Sequence, residues 1–369
     1  YWEAGHILGG ASIELRVETE AGTKVLLFSG DIGPGGRDYA ADPEGPAGVD
    51  WLVVESTYGD RERDMITPQD RRQRLAEVLN EAHAAGGPLL IPAFAVERSQ
   101  ELLADILTLM RDGLVPEADI FLDSPLAIEA TEIFRQRGWV RSTGRNPFED
   151  LHSSDHLKFV RDPWESDTLE KLSGWHIILA ASGMCDAGRV RKHLKRLLWT
   201  RKATVLLAGY QAIGTLGRFL SEGAERVGIQ GDDIQVRARI RTLDVYSGHA
   251  DARGLVSWVK ARGPVRAEVF LAHGEPPALS GLQDRLAAAG TPADRMLIPA
   301  IDQSFDLAGG RARAAGEGAR RIAPEAPAQL DWHNARAALL IDLDRRLERL
   351  DDAARMALLR RLARKVDEA

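Results

Sequence analysis

The stretch WHIILAASGMCDAGRVRKHLKRLLWTRKATVLLAGY (residues 175–210) decides the fold. Its two ends are short runs of Ile, Leu and Val without polar alternation, as in strands covered on both faces. Between them, Val190, Leu194, Leu197 and Leu198 recur at helical spacing. Strand, helix, strand is the unit of a parallel sheet. The same alternation extends on the N-terminal side. TPQDRRQRLAEVLNEAHAAGG (67–87) reads as a capped helix stopped by glycine, PLLIPAFA (88–95) as a strand, SQELLADILTLMRD as a helix and DIFLDSP (119–125) as a strand.

Outside this block the texture changes to short strands: SIELRV (12–17), KVLLFS (24–29), DWLVVE (50–55), VRARIRTLDVYS (236–247) and AEVFLAHG (267–274). Short-strand segments over 1–60 and 236–308 thus flank a doubly wound α/β block over 61–235, the pattern of an inserted domain. Residues 309–369 read as a Gly, Ala, Arg and Pro-rich linker followed by a helical tail, with Leu340, Leu343, Leu347 and Leu350 at packing or homodimer spacing.

The chain has 369 residues, 44% of them hydrophobic, enough to bury two or three cores. A single cysteine, Cys185, excludes an internal disulfide, and no stretch has transmembrane length, so a cytoplasmic protein without membrane partners is expected. The net charge of −7 does not mark a nucleic-acid binder, and the basic run at 189–202 reads first as a solvated helix face. The chain starts with Tyr1 inside a motif, and native sequence is expected upstream.

Several apolar strands deliver a ligand-type or acid/base side chain to the end of the strand or the loop after it: Asp31, Glu55, His249 and His273, joined by His6 in the Gly-rich turn GHILGGA. Singly, each can serve as a turn cap or structural hydrogen-bonding residue. Together they are the imidazoles and carboxylates that bind Zn²⁺, and a carboxylate can bridge two ions. Gly-rich turns between strand and helix place Ser182, Arg189, Thr215 and Arg218 where backbone N–H groups suit phosphates, and Arg98 opens another helix.

GHILGGA, FSGDIG, VVESTYGDR, YSGHAD and LAHGEP resemble, in order, the motifs of the β-CASP branch of metallo-β-lactamase-fold nucleases, relatives of the mRNA 3′-end-processing endonuclease and of bacterial RNA-degrading enzymes. IPAFAVERSQELL, DSPLA, ASGMCDAGRV and GYQAIGTLGR resemble that family's inserted-domain motifs, so the likeness covers residues 4–307. It implies a metallo-β-lactamase αββα sandwich, partial at its N-terminal side, with an inserted β-CASP domain. It implies metal ligation by His6, Asp31 and His273, with Asp31 bridging two Zn²⁺ ions, or Mn²⁺ in their place. Catalytic roles fall to Asp31, to His249 facing the scissile phosphate and to Glu55 orienting His249. Asp251 and Glu275 are alternative supporting acids.

The family's HxHxDH signature is absent; the nearest string, LHSSDHL (151–157), lies inside the inserted block and lacks the first histidine. The expected activity is two-zinc hydrolysis of single-stranded RNA, endonucleolytic with exonuclease activity as an addition. Ser247, Arg98, Ser182, Arg189, Thr215 and Arg218 would hold the substrate, the basic run would track RNA, and the chain by itself would be inactive. The alternatives are a DNA nuclease of the same fold, a small-molecule hydrolase, and a non-catalytic RNA-binding or scaffold subunit.

Overall fold

The computed structural model describes residues 1–20, 22–37, 40–63, 67–137, 151, 154–317, 339–343 and 346–367. In chain order the strands are β1 (Trp2–Glu3), β2 (Ala11–Thr19), β3 (Gly22–Phe28), β4 (Trp51–Glu55), β5 (Leu89–Pro92), β6 (Ile120–Asp123), β7 (Leu157–Phe159) and β8 (Ile177–Ala180), then β9 (Thr204–Leu207), β10 (Arg226–Ile229), β11 (Asp232–Gln235), β12 (Arg239–Thr242), β13 (Val269–Ala272), β14 (Met296–Leu297), β15 (Gln303–Asp306) and β16 (Arg313–Glu317). The helices are α1 (Pro68–Ala84), α2 (Arg98–Arg111), α3 (Pro125–Arg137), α4 (Pro163–Thr168), α5 (Val190–Leu197), α6 (Leu216–Ser221), α7 (Ala252–Ala261), α8 (Pro276–Ala288) and α9 (Asp352–Asp367).

Two six-stranded sheets divide these strands. The first runs β1-β2-β3-β4-β13-β14 and the second β12-β9-β5-β8-β6-β7, the second being parallel throughout. Period-two alternation explains why the second sheet needs helices on both faces. Leu89, Ile91, Ile177 and Leu179 enter one buried cluster with α1 and α2; Leu90, Ile178, Val205 and Leu207 enter another with α5 and α6. Each such side chain, removed wholly from water, contributes roughly 1.5–3 kcal/mol. In the first sheet Leu52, Val54, Val269 and Leu271 pack under Leu255 and Trp258 of α7 and Leu282 and Leu286 of α8.

Local chemistry sets the element ends. Thr67 caps α1 by accepting the Asp70 N–H at 3.2 Å while Asp70 accepts the Thr67 N–H at 3.0 Å, Pro68 fills the first turn, and Gly86 at φ +70° follows the last one. Cys185 is buried in the second cluster, and burial pushes its thiol well above the usual range.

The expected return to short-strand texture at residue 236 comes later in the structure. Arg239–Thr242 pairs in parallel with β9 and closes the edge of the second sheet. Just before it, β10 and β11 form an antiparallel ribbon that the sequence reading did not separate. The stretch expected as a linker from 309 contains β16, paired with β15. Leu340 and Leu343 are helical and Leu340 is exposed, Leu347 and Leu350 lie ahead of α9, and residues 318–338 lie outside the described residues.

The basic run folds as a helix only over Val190–Leu197, and its cations are met by neighbouring acids and carbonyls. Lys192 pairs with Asp167 and Glu170, Lys195 with Asp232, and Arg191 donates to the Asp186 carbonyl. In LHSSDHL, His156 sits on a turn near Glu117, and His152 lies outside the described residues. No helix among the described residues is long and apolar enough to cross a membrane.

His176, just before β8, is 3% exposed, and its Nε2 has no hydrogen-bond partner among the described residues. Burial, aided by Arg196, lowers its pKa from 6.5 to about 4. The unfolded chain therefore binds the proton more tightly, so this stability is full above 6.5 and is lost as the pH falls toward 4. The urea midpoint should drop between about pH 7 and about pH 5, and drop less in His176→Phe; equal drops would refute the assignment.

Candidate active site

The chemistry gathers where strand ends of the first sheet meet the second lobe. Asp31 follows β3, and the next residue, Ile32, bridges Gly5 in the His6 loop. That approach leaves no room for a side chain at position 33, because a Cβ there would lie 1.8 Å from the Gly5 carbonyl oxygen. The Ala250 N–H donates to the Ile32 carbonyl at 2.7 Å, joining the His249 loop to the same point. On the other side Ala272 is in register with Glu55, so the strand end of β4 and His273 after β13 lie together.

The resulting cluster is compact. His6, Asp31 and His249 offer donor atoms that all lie within 4.8 Å of one another. His6 Nε2 is 3.8 Å from Asp31 Oδ2, and His273 Nδ1 is 3.4 Å from Asp31 Oδ1. The His6 and His249 rings lie 4.3 Å apart, centroid to centroid, and Tyr58 stands edge-on to His249. Asp31 thus lies between two imidazoles, where a shared carboxylate would serve two cations.

Burial, and then the neighbouring His249, lower the His6 pKa to about 4. His6 is therefore the neutral base that a metal ligand must be. Its Nδ1 is buried against Gly248 outside hydrogen-bonding geometry. The other ring nitrogen, Nε2, faces Asp31 at 3.8 Å, beyond hydrogen-bonding distance, and such a nitrogen beside a carboxylate and a second imidazole fits a divalent metal of the zinc type.

Glu55 accepts the Ile32 N–H at 2.8 Å, the Thr57 N–H at 3.1 Å and the His249 Nδ1–H at 3.0 Å. Burial opposes its charge, but these hydrogen bonds outweigh burial and hold its carboxyl below the ordinary value. With the Nδ1 proton committed to Glu55, His249 keeps Nε2 for the cleft. Arg63 holds the other side of the loop by donating to the His249 carbonyl, and it lies over the Tyr58 ring.

The expected substrate contacts divide. Ser247 is buried two residues before His249, near the Tyr58 phenol, with its carbonyl gripped by Arg37. Arg98 lies at the start of α2, near enough to act electrostatically on Tyr58 and reaching Gly209 at the next strand end. Arg218 spans the cleft edge, 4.0 Å from Glu275, and also holds Glu222 and the Gln211 carbonyl.

Thr215 caps α6, Arg189 is held by Asp123 at 2.7 Å and the Val160 and Arg161 carbonyls, and the Ser182 backbone closes a turn with Ala187 and Cys185. Arg189 is a buried-charge partner, not a rim cation. Asp251 caps α7, and Glu275 accepts the Ile213 N–H at 3.0 Å across the cleft. Sequence reasoning passed over Thr57, whose hydroxyl lies 3.3 Å from His273 Nδ1, and Tyr58; their only signal was adjacency to Glu55.

A family model described as the Beta-Casp domain matches residues 99–220, and one described as the Zn-dependent metallo-hydrolase RNA specificity domain matches residues 233–298. Ribonuclease TTHA0252 of Thermus thermophilus is 32% identical over 298 residues, covering 79% of this chain and 65% of that protein. An RNase J-like protein of Methanocaldococcus jannaschii is 33% identical over 285 residues, 74% of this chain and 63% of the relative. Transcription termination factor FttA of Pyrococcus abyssi is 32% identical over 291 residues, 74% and 43%. The chain spans less than two thirds of the length of each of these relatives.

A Cβ at position 248 would lie 2.7 Å from His6 Cε1. Gly248→Ala should therefore displace His6, and Zn²⁺ should raise the Tm of the wild-type chain but leave that of the variant unchanged. An equal zinc-induced rise in both would disprove the placement.

Proposed function

We propose that this chain, which belongs to the β-CASP branch of the metallo-β-lactamase-fold RNA nucleases, carries one wall of a two-zinc centre that hydrolyses single-stranded RNA, chiefly endonucleolytically. The observation that supports it most is the Glu55–His249 pair at 3.0 Å beside the His6–Asp31 couple. Two zinc ions, when bound, would neutralise phosphate charge and make hydroxide available near neutral pH.

The protein's own groups do the rest. Asp31 faces His6 with one oxygen and His273 with the other, the arrangement of a bridging ligand. His249 presents Nε2 to the cleft and delivers its proton to the leaving oxygen, while Glu55 stabilises the imidazolium before transfer. Thr57 steadies His273, and Arg98 and Arg218 supply positive charge on the second-lobe side of the cleft. His6, Asp31 and His273 are too few donors for two tetrahedral zinc ions, so the chain alone is proposed to be inactive and to need an HxHxDH segment.

The test is elemental zinc and cleavage of matched single-stranded RNA and DNA by the protein extended to include such a segment, beside His249→Ala. The expected result is two zinc ions per chain, RNA cut and DNA spared. His249→Ala should lose roughly 10²–10⁴-fold in kcat with zinc retained. A zinc-loaded protein that leaves RNA intact refutes the reading, and one that cuts only DNA moves it to the DNA nucleases of this fold.

A further inference from the structure

Glu97 stands outside the metal cluster, in the second lobe between β5 and α2, and is 2% exposed. Its backbone has φ +69° and ψ −54°, and the Arg98 N–H donates to the Val96 carbonyl at 2.9 Å, closing a γ-turn around it. An L-residue is strained at the centre of such a turn, whereas glycine accepts it readily. Strain of this kind persists where the surroundings over-determine it.

The surroundings here are two loops of the other lobe. Glu97 Oε2 accepts the Leu8 N–H at 2.8 Å, two residues after His6. Glu97 Oε1 accepts from Arg37 Nη1 at 3.2 Å, and Arg37 donates through Nη2 to the Ser247 carbonyl, two residues before His249. One carboxylate therefore ties both histidine loops to the second lobe. Behind it the charges continue inward, with Arg71 bound to Glu101 at 2.6 Å and to Asp105 at 2.7 Å, and Tyr246 donating to Asp105 at 2.8 Å. Tyr246 belongs to the same loop as His249, so that loop is held at two points.

We propose that Glu97 is a positioning residue that, from the second lobe, holds the His6 loop so that His6 stands at the distance from Asp31 that a metal ion requires, and holds the neighbouring His249 loop against it. The proposal rests on the metal-centre reading of that cluster. Residues that hold ligands without touching the metal alter its affinity when removed, by about 10–100-fold.

The test is a Co²⁺ titration of the present chain followed by visible absorption, with His6→Ala as the control and Tm measured on every sample. Glu97→Gln keeps the size of the side chain and an acceptor for Leu8 but loses the pairing with Arg37; Glu97→Gly relieves the turn and removes both contacts. Both should bind Co²⁺ at least about tenfold more weakly, with an altered band, Glu97→Gly the more so, while its Tm holds or rises. That separation of affinity from stability is what a general strut would not produce. Wild-type affinity and band in both variants overturn the proposal, as does an affinity that falls only in step with Tm. A wild-type chain with no His6-dependent band removes the metal-centre reading and this proposal together, whereas a wild-type band with indifferent Glu97 variants removes this proposal alone.

Discussion

The parallel pairing of Leu52–Glu55 with Val269–Ala272 is the interaction on which the rest of the molecule depends. Parallel neighbours need a crossover, and here the crossover, residues 56–268, contains the whole second lobe. The entropy of closing so long a connection grows only with the logarithm of its length, and the connection folds on cores of its own. The consequence is geometric. Glu55 and His273 emerge side by side from strands laid down at opposite ends of that connection, and the lobe between them forms the far wall of the same cleft.

Charge burial then shapes the cleft. Glu55 retains its charge in a buried position because three donors converge on it, while His6 remains neutral because its surroundings do not reward a proton. An isolated ion at such depth would cost several kcal/mol, which is why Arg37, Arg71, Glu101 and Asp105 occur as a paired set and not singly. The seam between the lobes thus carries a polar, directional network beside the apolar contacts through which Ala40 and Tyr246 join the core of the second lobe. Directional contacts fix a relative orientation that hydrophobic packing alone would leave loose.

Much of this was legible in the sequence, for specific reasons. Asp31, Glu55, His249 and His273 follow runs such as VLLF and VFLA, and an apolar run that ends in a ligand-type residue marks a strand end facing a cleft. The partners of Arg189 and Thr215 were not legible, because a cation or hydroxyl at a helix start is the same letter whether it faces solvent or a distant carboxylate. Residues 236–243 alternate Arg with apolar residues as a half-exposed strand should, and an edge strand of a parallel sheet alternates in the same way, so β12 was assigned to the wrong layer. Repeated Gly, Ala and Arg in β16 hid a hairpin held by backbone pairing. Glu97 gave no signal, since a positive φ is a property of the folded backbone and glutamate is not a residue that announces one.

The buried thiol has a practical consequence. Cys185 is the sole cysteine, fully buried, and burial holds it in the unreactive protonated form. The unaltered chain is therefore a silent background for maleimide chemistry. A cysteine introduced on an exposed position of each lobe would accept fluorophores or spin labels selectively, and the distance between them would follow the opening of the cleft directly in solution.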